Sequence, residues 1–359
     1  MDVAKLVHNA PFWLNGMEDA QGILVSCRVR LARNLVDRPF VAKATTADQE
    51  HILGQVQEAA QRSRALSQGH FCRMDILEKN ERRLLVERRL VSPALAEGKT
   101  RCGVLFEKDE TLSVMINEED HLRLQAILPG LNARQAWERV NALDDQLGGA
   151  LEYAHSEKWG YLTACPTNTG TGLRVSVLMH LPALVLAEDM ERIMRGLTQM
   201  AFTVRGMYGE GTNALGNLFQ VSNQTTLGRS EEEIVEELVQ LTRLLIEYER
   251  DAQETLLNEA RSQVEDKIGR AFGILSHARV LSSQEFMNLL SAVRLGYSLS
   301  LIENVSPGFM NQLMIITQPS HLQALSGKVL EAEERDLQRA DLVRQRIAEE
   351  CSQSGDGPA

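Results

Sequence analysis

Hydrophobic spacing changes once along this chain, and the change limits what it can fold into. Between Gly22 and Asn223 apolar residues recur at spacing two in short runs, broken by turns and helical stretches; beyond Ser230 the spacing is helical to Glu350. This predicts strands and helices first and an all-helical region afterwards, with a composition shift near residue 255. In Gly22 to Asn34, Ile23, Val25, Cys27, Val29 and Leu31 alternate with Ser26, Arg28, Arg30 and Ala32, the pattern of a strand with one buried face. Further strands are expected over Arg101 to Phe106, Thr111 to Asn117, Gly160 to Ala164, Val175 to His180, Ala201 to Arg205 and Leu218 to Asn223. Helices are expected over Thr46 to Leu66, Glu78 to Leu90, Asn132 to Ala154 and from Pro182 to about Met200. Ser230 with Glu233 forms a capping box opening a long amphipathic helix. Ser282 with Glu285, and Ser306 with Pro307, start others, and Ala332 to Cys351 reads as a charged terminal helix.

The 359 residues exceed the size at which single cores stop growing, about 250 to 300 residues. A formal net charge of −11 argues against nucleic-acid binding, which needs a basic footprint. Met1 to Leu14 lacks the apolar run of a signal peptide, and no stretch has the roughly eighteen uncharged apolar residues of a membrane span. A cytoplasmic protein is expected. The five cysteines are scattered without a Cys-x-x-Cys pair, so neither a disulfide framework nor a zinc site is expected. Cys27, Cys72, Cys102 and Cys351 read as inert packing residues, and Cys165 stands apart.

Cys165-Pro166-Thr167-Asn168-Thr169-Gly170-Thr171-Gly172-Leu173-Arg174 sets a thiol, hydroxyls, glycines and an arginine between two apolar runs. By itself it reads as a turn whose Thr and Asn side chains bond their own backbone. Asn117-Glu118-Glu119-Asp120-His121 by itself reads as a solvated loop, since like charges repel unless something positive gathers them. Arg205 to Gly216 is glycine-rich, but its spacing fits neither the dinucleotide fingerprint nor a P-loop. These interruptions at strand ends share a chemical theme: Arg28 and Arg30, Glu119 and Arg123, Cys165 and Arg174, Arg205 and Glu210. Guanidinium groups bind two phosphate oxygens at once, so an arginine cage suits a triphosphate.

Ser26 to Asn34, Asn117 to His121, Cys165 to Arg174 and Arg205 to Gly211 together resemble, in order, the motifs of the phosphagen (guanidino) kinase family. The chain is most similar to the family's bacterial protein arginine kinases, along nearly its full length. The resemblance implies an α+β fold, an antiparallel sheet flanked by helices, followed by an all-helical C-terminal domain. The divisions it implies are an N-terminal segment 1–21, a catalytic domain 22–254, a helical dimerisation and phosphoarginine-binding domain 255–351, and a disordered tail 352–359. Small-molecule guanidino kinases carry an additional N-terminal helical domain; about twenty residues precede the first strand here, so an open site for protein-borne arginine is expected. A small-molecule guanidino kinase and a non-catalytic phosphoarginine-binding adaptor are the rival readings. The missing helical domain speaks against the first, and intact Glu119, Cys165 and Glu210 against the second.

The resemblance also implies residue roles. ATP with Mg2+ would be bound by Cys27, Arg28, Val29, Arg30 and Leu31, by Arg123, by Arg174, Val175, Ser176, Val177 and Leu178, and by Arg205, Gly206, Met207, Tyr208, Gly209 and Glu210; no protein-held metal is expected. Glu119 would be the base and Glu210 would orient the substrate guanidinium, with Cys165 beside it in an electrostatic role. Arg89 stands where relatives are expected to have a histidine near the nucleotide, and is kept as a nucleotide contact. Arg335, Asp336, Arg339 and Ala340 resemble an allosteric phosphoarginine-binding motif. Implied partners are arginine-containing protein substrates, a zinc-finger activator, a heat-shock repressor, a Clp protease and a second copy of the chain, in stress response and protein quality control.

Overall fold

The computed structural model describes residues 2–15, 22–98, 100–207 and 214–354. The strands are β1 (Leu24–Arg33), β2 (His70–Arg73), β3 (Gly103–Phe106), β4 (Leu112–Ile116), β5 (Leu122–Pro129), β6 (His155–Ser156), β7 (Gly160–Tyr161), β8 (Leu173–His180), β9 (Phe202–Gly206) and β10 (Leu218–Asn223). The helices are α1 (Thr46–Arg62), α2 (Lys79–Glu87), α3 (Pro93–Glu97), α4 (Ala133–Gly148), α5 (Pro182–Leu186), α6 (Met190–Gln199), α7 (Glu231–His277), α8 (Ser283–Ser298), α9 (Pro307–Ile316), α10 (Pro319–Ser326) and α11 (Ala332–Ser354). An eight-stranded sheet runs in the order β2-β3-β4-β5-β1-β8-β10-β9. Its first four strands pair antiparallel, with Cys72 opposite Val104, Leu105 opposite Val114 and Val114 opposite Leu124. Ala32 N–H donates to the Gly172 carbonyl and His180 N–H to the Ile23 carbonyl, so β1 and β8 are antiparallel too.

Three adjacent strands at the middle of this order share one property. β5 is buried at every residue except Arg123, β1 at every residue except Arg28 and Arg30, and β8 at every residue except Arg174. Cys27, Val29 and Leu31 are fully buried on the opposite parity of β1, as side chains alternate between the faces of a strand. Burial raises the Cys27 thiol to about 12.

Several expected elements end differently. Gly160 to Ala164 yields only β7, which pairs with β6 in a separate two-stranded ribbon. Tyr161 exchanges both backbone bonds with Gly170, which ends the extended run and starts the thiol loop. α4 stops at Gly148, short of the expected Ala154, with the Gly149 N–H bonded to the Asp145 carbonyl. The Pro182 helix is two helices, α5 and α6, separated where Glu188 takes a left-handed φ of 59°. α7 runs through residue 255 and departs from helical geometry at Ala260. α11 continues through Ser354, and the remainder of the tail lies outside the described residues. Cys351 is half-buried, whereas Cys27, Cys72 and Cys102 are buried.

The chain forms two compact units. One comprises Met1–Trp13, Cys27–Ser176 and Ser222–Val239; the other comprises Leu14–Ser26, Val177–Val221 and Gln240–Ala359. No described helix is long and apolar enough to cross a membrane.

Within the second unit, Glu249 of α7 is fully buried and caps α5. Its carboxylate accepts the N–H groups of Ala183 at 2.9 Å and Leu184 at 3.1 Å. Burial nonetheless raises it to about 7 from 4.5. A group raised on folding holds its proton longer in the native state, so its contribution is complete below about pH 4.5 and is lost as pH rises through 7. The loss is on the order of 3 kcal/mol. Burial pushes His180, in the same unit, well below its ordinary value, and this acts in the opposite sense. The Glu249 contribution is therefore read as a difference: urea stability of wild type minus Glu249→Gln should decline between pH 5 and pH 8. A pH-independent difference would contradict it.

Candidate active site

The arginine row lies within the first unit. Arg28 and Arg30 on β1, Arg123 on β5, Arg174 on β8 and Arg89 just after α2 act on one another electrostatically. Burial, and then repulsion from Arg30, Arg89, Arg174 and Arg123, press Arg28 well below the usual arginine range. Burial, with Arg123 and Arg174 next, lowers Arg30 to about 9. The Nε of Arg30 is buried without a hydrogen-bond partner. Such crowding of like charge is unfavourable by itself and relaxes when an anion enters. A cavity of about 240 Å³ opens beside the row, lined in part by Arg30, Glu119, Arg123, Cys165, Thr167, Asn168 and Arg174.

The two adjacent acids are not equivalent. The Glu118 side chain is 6% exposed, pairs with Arg123 Nη1 at 2.6 Å and accepts from Ser92 Oγ at 2.6 Å. The Glu119 side chain is 45% exposed and meets Arg123 Nη2 at 2.9 Å. Glu118 is thus committed to holding Arg123, while Glu119 faces the cavity. The turn carrying them is fixed by Asn117, at φ 58°, whose Nδ2 donates to the carbonyls of Gln49 and Arg101. Asp120 fastens this turn to the thiol loop: its Oδ1 accepts from Asn34 Nδ2 and from the Ala164 N–H, both at 2.7 Å.

Cys165 begins that loop, with its Sγ 3.0 Å from Thr167 Oγ1. Thr226 Oγ1 donates to the carbonyls of Thr167 at 3.0 Å and Thr169 at 2.7 Å. Arg33 secures the loop's far end, donating to the Thr171 carbonyl at 2.9 Å while Asp144 accepts from its Nε at 2.9 Å and Tyr161 packs 3.5 Å from its guanidinium. Gly172 sits at φ 68°, and a Cβ there would lie 2.6 Å from the Ala32 carbonyl oxygen and 2.7 Å from Arg33 Nη1. Gly172→Ala is expected to cost about 1–3 kcal/mol in urea unfolding and to displace Arg174, two residues on.

The residues singled out from sequence are distributed as follows. Arg28, Arg30, Arg89, Glu119, Arg123, Cys165 and Arg174 belong to the first unit. Val29 and Leu31 point away from the arginine face of β1, so any nucleotide contact from them would be through backbone. Val175 and Ser176 follow on β8 in the first unit, whereas Val177 and Leu178 belong to the second. Arg205 and Gly206 end β9 in the second unit, and Met207 N–H bonds the Leu218 carbonyl. Tyr208, Gly209 and Glu210 lie outside the described residues. Arg335, Asp336, Arg339 and Ala340 lie on α11. Arg339 is 1% exposed and donates to the carbonyls of Thr317 and Leu281 and to Asp336, while Arg335 Nη1 donates to the Leu330 carbonyl.

Sequence reasoning gave no role to Glu118, Asp120, Asn34, Arg33 or Asp144. The last pair carried a signal: Asp144 falls on the apolar stripe of α4, four residues after Val140, and a buried acid needs a cation. Among the described residues no group of three or more His, Cys, Asp or Glu could hold a metal ion.

Residues 51–252 match the family described as ATP:guanido phosphotransferase, C-terminal catalytic domain, and residues 261–356 match the protein-arginine kinase McsB C-terminal domain. The chain is 45% identical to a protein-arginine kinase of Halothermothrix orenii over 97% of its own length and 99% of the relative's. It is 46% identical to one from Halalkalibacterium halodurans, covering 93% of this chain and 94% of that one. Among solved structures it resembles lombricine kinase, with TM-score 0.57 and 25% identity over 67% of this chain and 71% of that one. It also resembles the duplicated taurocyamine kinase of Schistosoma mansoni, with TM-score 0.61 and 23% identity over 73% of this chain and 38% of that one. The latter likeness concerns the fold.

Proposed function

The chain belongs to the protein-arginine kinase family, built on the ATP:guanido phosphotransferase catalytic domain, and from that premise we propose that it transfers the γ-phosphoryl group of ATP to arginine side chains of proteins. The observation that carries the reading is the arginine row: three neighbouring strands, buried elsewhere, open only at Arg123, Arg28, Arg30 and Arg174. A triphosphate supplies the negative charge this row lacks. Mg2+ would arrive with ATP as part of the substrate.

In the reaction an N–P bond forms at a guanidinium nitrogen and the bond from the γ-phosphorus to the β-γ bridging oxygen breaks. The nitrogen must lose a proton as the phosphoryl group arrives, because a guanidinium with a pKa above about 12 has no free lone pair. Glu119 takes that proton, being the acid that faces the cavity. Cys165 and Thr167 line the guanidinium side, and the arginines bind the charge on the transferring group. Glu210, with its glycine loop, orients the substrate. Arg335, Asp336, Arg339 and Ala340 respond to phosphoarginine, and the burial of Arg339 makes that response depend on breaking its bond to Asp336. The helical region mediates dimerisation. The protein acts in cytoplasmic stress response and quality control, with a zinc-finger activator, a heat-shock repressor and a Clp protease as partners.

Incubation with labelled ATP and either an arginine-rich protein or free arginine tests the reading. Acid-labile label on protein arginine, lost in Glu119→Gln, is expected. Label on free arginine alone, or none on protein with a zinc-finger activator present, would overturn it.

A further inference from the structure

The loop that carries Cys165 is held by a segment outside every motif of the site. Ser222-Asn223-Gln224-Thr225-Thr226 runs on from the end of β10, and three of its side chains bond the thiol loop and the strand that follows it. Asn223 holds both neighbours of Arg174: its Oδ1 accepts the Val175 N–H at 2.9 Å, and its Nδ2 donates to the Leu173 carbonyl at 3.1 Å. Ser222 Oγ accepts from Arg174 Nη2 at 3.2 Å. These two residues fix the phosphate side of the site.

Thr226 has the corresponding place on the other side. It is 5% exposed and is not among the residues that line the cavity. A threonine hydroxyl has one proton to donate, and here two carbonyls share it, that of Thr167 at 3.0 Å and that of Thr169 at 2.7 Å. Those carbonyls stand on either side of Asn168, where the short 3-10 turn Pro166–Asn168 ends. The Thr226 carbonyl accepts the Thr171 N–H at 3.2 Å and Thr171 Oγ1 at 3.3 Å. A Cβ on Gly170 would lie 2.5 Å from the same carbonyl oxygen, so the two segments approach as closely as glycine allows. One buried residue thus meets the loop at Thr167, Thr169 and Thr171, while Cys165, Thr167 and Asn168 line the cavity and Thr167 Oγ1 lies 3.0 Å from the thiol. A carbonyl deprived of its donor must find another, so loss of this hydroxyl lets the turn shift against β8.

Resting on the reading of the Cys165 turn as the guanidinium side of a kinase site, we propose that Thr226 is a positioning residue for the arginine acceptor: its hydroxyl sets the turn that presents Cys165, Thr167 and Asn168 to the incoming guanidinium. The segment Ser222 to Thr226 is then one support with a phosphate end and a guanidinium end. A displacement of about 1 Å in such a turn can lower turnover about 100-fold. The acceptor feels it and the nucleotide does not, because Arg174 keeps its bonds to Ser222 and its neighbours keep theirs to Asn223.

Steady-state kinetics with MgATP and an arginine-containing peptide tests it on full-length wild type, Thr226→Val and Thr226→Ser, with titration calorimetry for MgATP. Valine keeps the volume of threonine and loses the hydroxyl. In Thr226→Val, kcat/KM for the peptide should fall about 10- to 100-fold while the Kd for MgATP stays within about twofold. Thr226→Ser, which retains the donor, should recover most of the loss. The effect should also run through the turn: in Cys165→Ala protein, adding Thr226→Val should cost no more than about threefold, since residues acting as a unit are not additive. Equal weakening of peptide turnover and MgATP binding in Thr226→Val, unchanged peptide kinetics, additive effects of the two substitutions, or a Thr226→Ser protein as impaired as Thr226→Val would overturn the proposal. A Thr226→Val protein that does not fold would overturn it too, since the hydroxyl would then hold the fold and not the acceptor side alone. If wild type labels no arginine in the peptide, the kinase reading itself is refuted; if it does and Thr226→Val matches it, only the role of Thr226 falls.

Discussion

Glu119→Gln should lower kcat by about 10²- to 10⁴-fold, the range assigned to a positioned general base, with little effect on folding. The side chain is 45% exposed, and its ion pair with Arg123 is of the surface kind that contributes less than about 1 kcal/mol. Glutamine can still accept a hydrogen bond from a substrate guanidinium but cannot take its proton. Substrate affinity should therefore change much less than turnover. The neighbouring Glu118→Gln separates the two acids: Glu118 is committed to Arg123 and Ser92, so its loss should raise KM for ATP and lower stability, with kcat less affected. Steady-state kinetics on both variants, with melting curves, checks this. A Glu119→Gln enzyme with wild-type kcat would end its assignment as the base.

Arg30→Met is expected to have opposite effects on activity and stability. Activity should fall about 100-fold or more, the cost of removing one preorganised donor to developing negative charge. The ligand-free protein should become more stable, because methionine fills similar volume without adding charge to a crowded row in which burial and neighbouring arginines already lower Arg30 to about 9. An increase of 1 kcal/mol would appear as roughly 2–4 °C in melting temperature. Adding ATP should raise the melting temperature of wild type and leave that of Arg30→Met nearly unchanged, since only the native protein binds it. A less stable Arg30→Met protein that still gains stability from ATP would contradict this account.

How much of this was legible in the sequence varies residue by residue. The alternation around Cys27 to Leu31 placed Arg28 and Arg30 on one face of a strand, and the same parity puts Arg33 on the other, where it meets Asp144. The caps at Ser230, Ser282 and Ser306 were readable because each depends on bonds three residues apart, which the structure contains. The difference between Glu118 and Glu119 was not readable, because adjacent identical residues differ only through the turn that carries them. That turn is set by Asn117 reaching Gln49 and Arg101. The strand before Cys165 was overestimated for a similar reason: Tyr161 bonds Gly170, a partner beyond the loop, and local periodicity carries no information about it.

Which side chains alternate out of the core, where helices start, and which acids, thiol and guanidiniums interrupt the apolar runs can all be read along the chain. Those properties follow from spacing and covalent chemistry within a few residues. Tertiary structure alone decided that the strands carrying Arg123, Arg28 with Arg30, and Arg174 lie side by side, since their order β5-β1-β8 rests on hydrogen bonds between residues far apart in the chain. It also decided that Asp120 joins the acid turn to the thiol loop, and that Trp13 lies against Arg89. Each is a close contact between distant segments, and its geometry exists only once the sheet has closed its register.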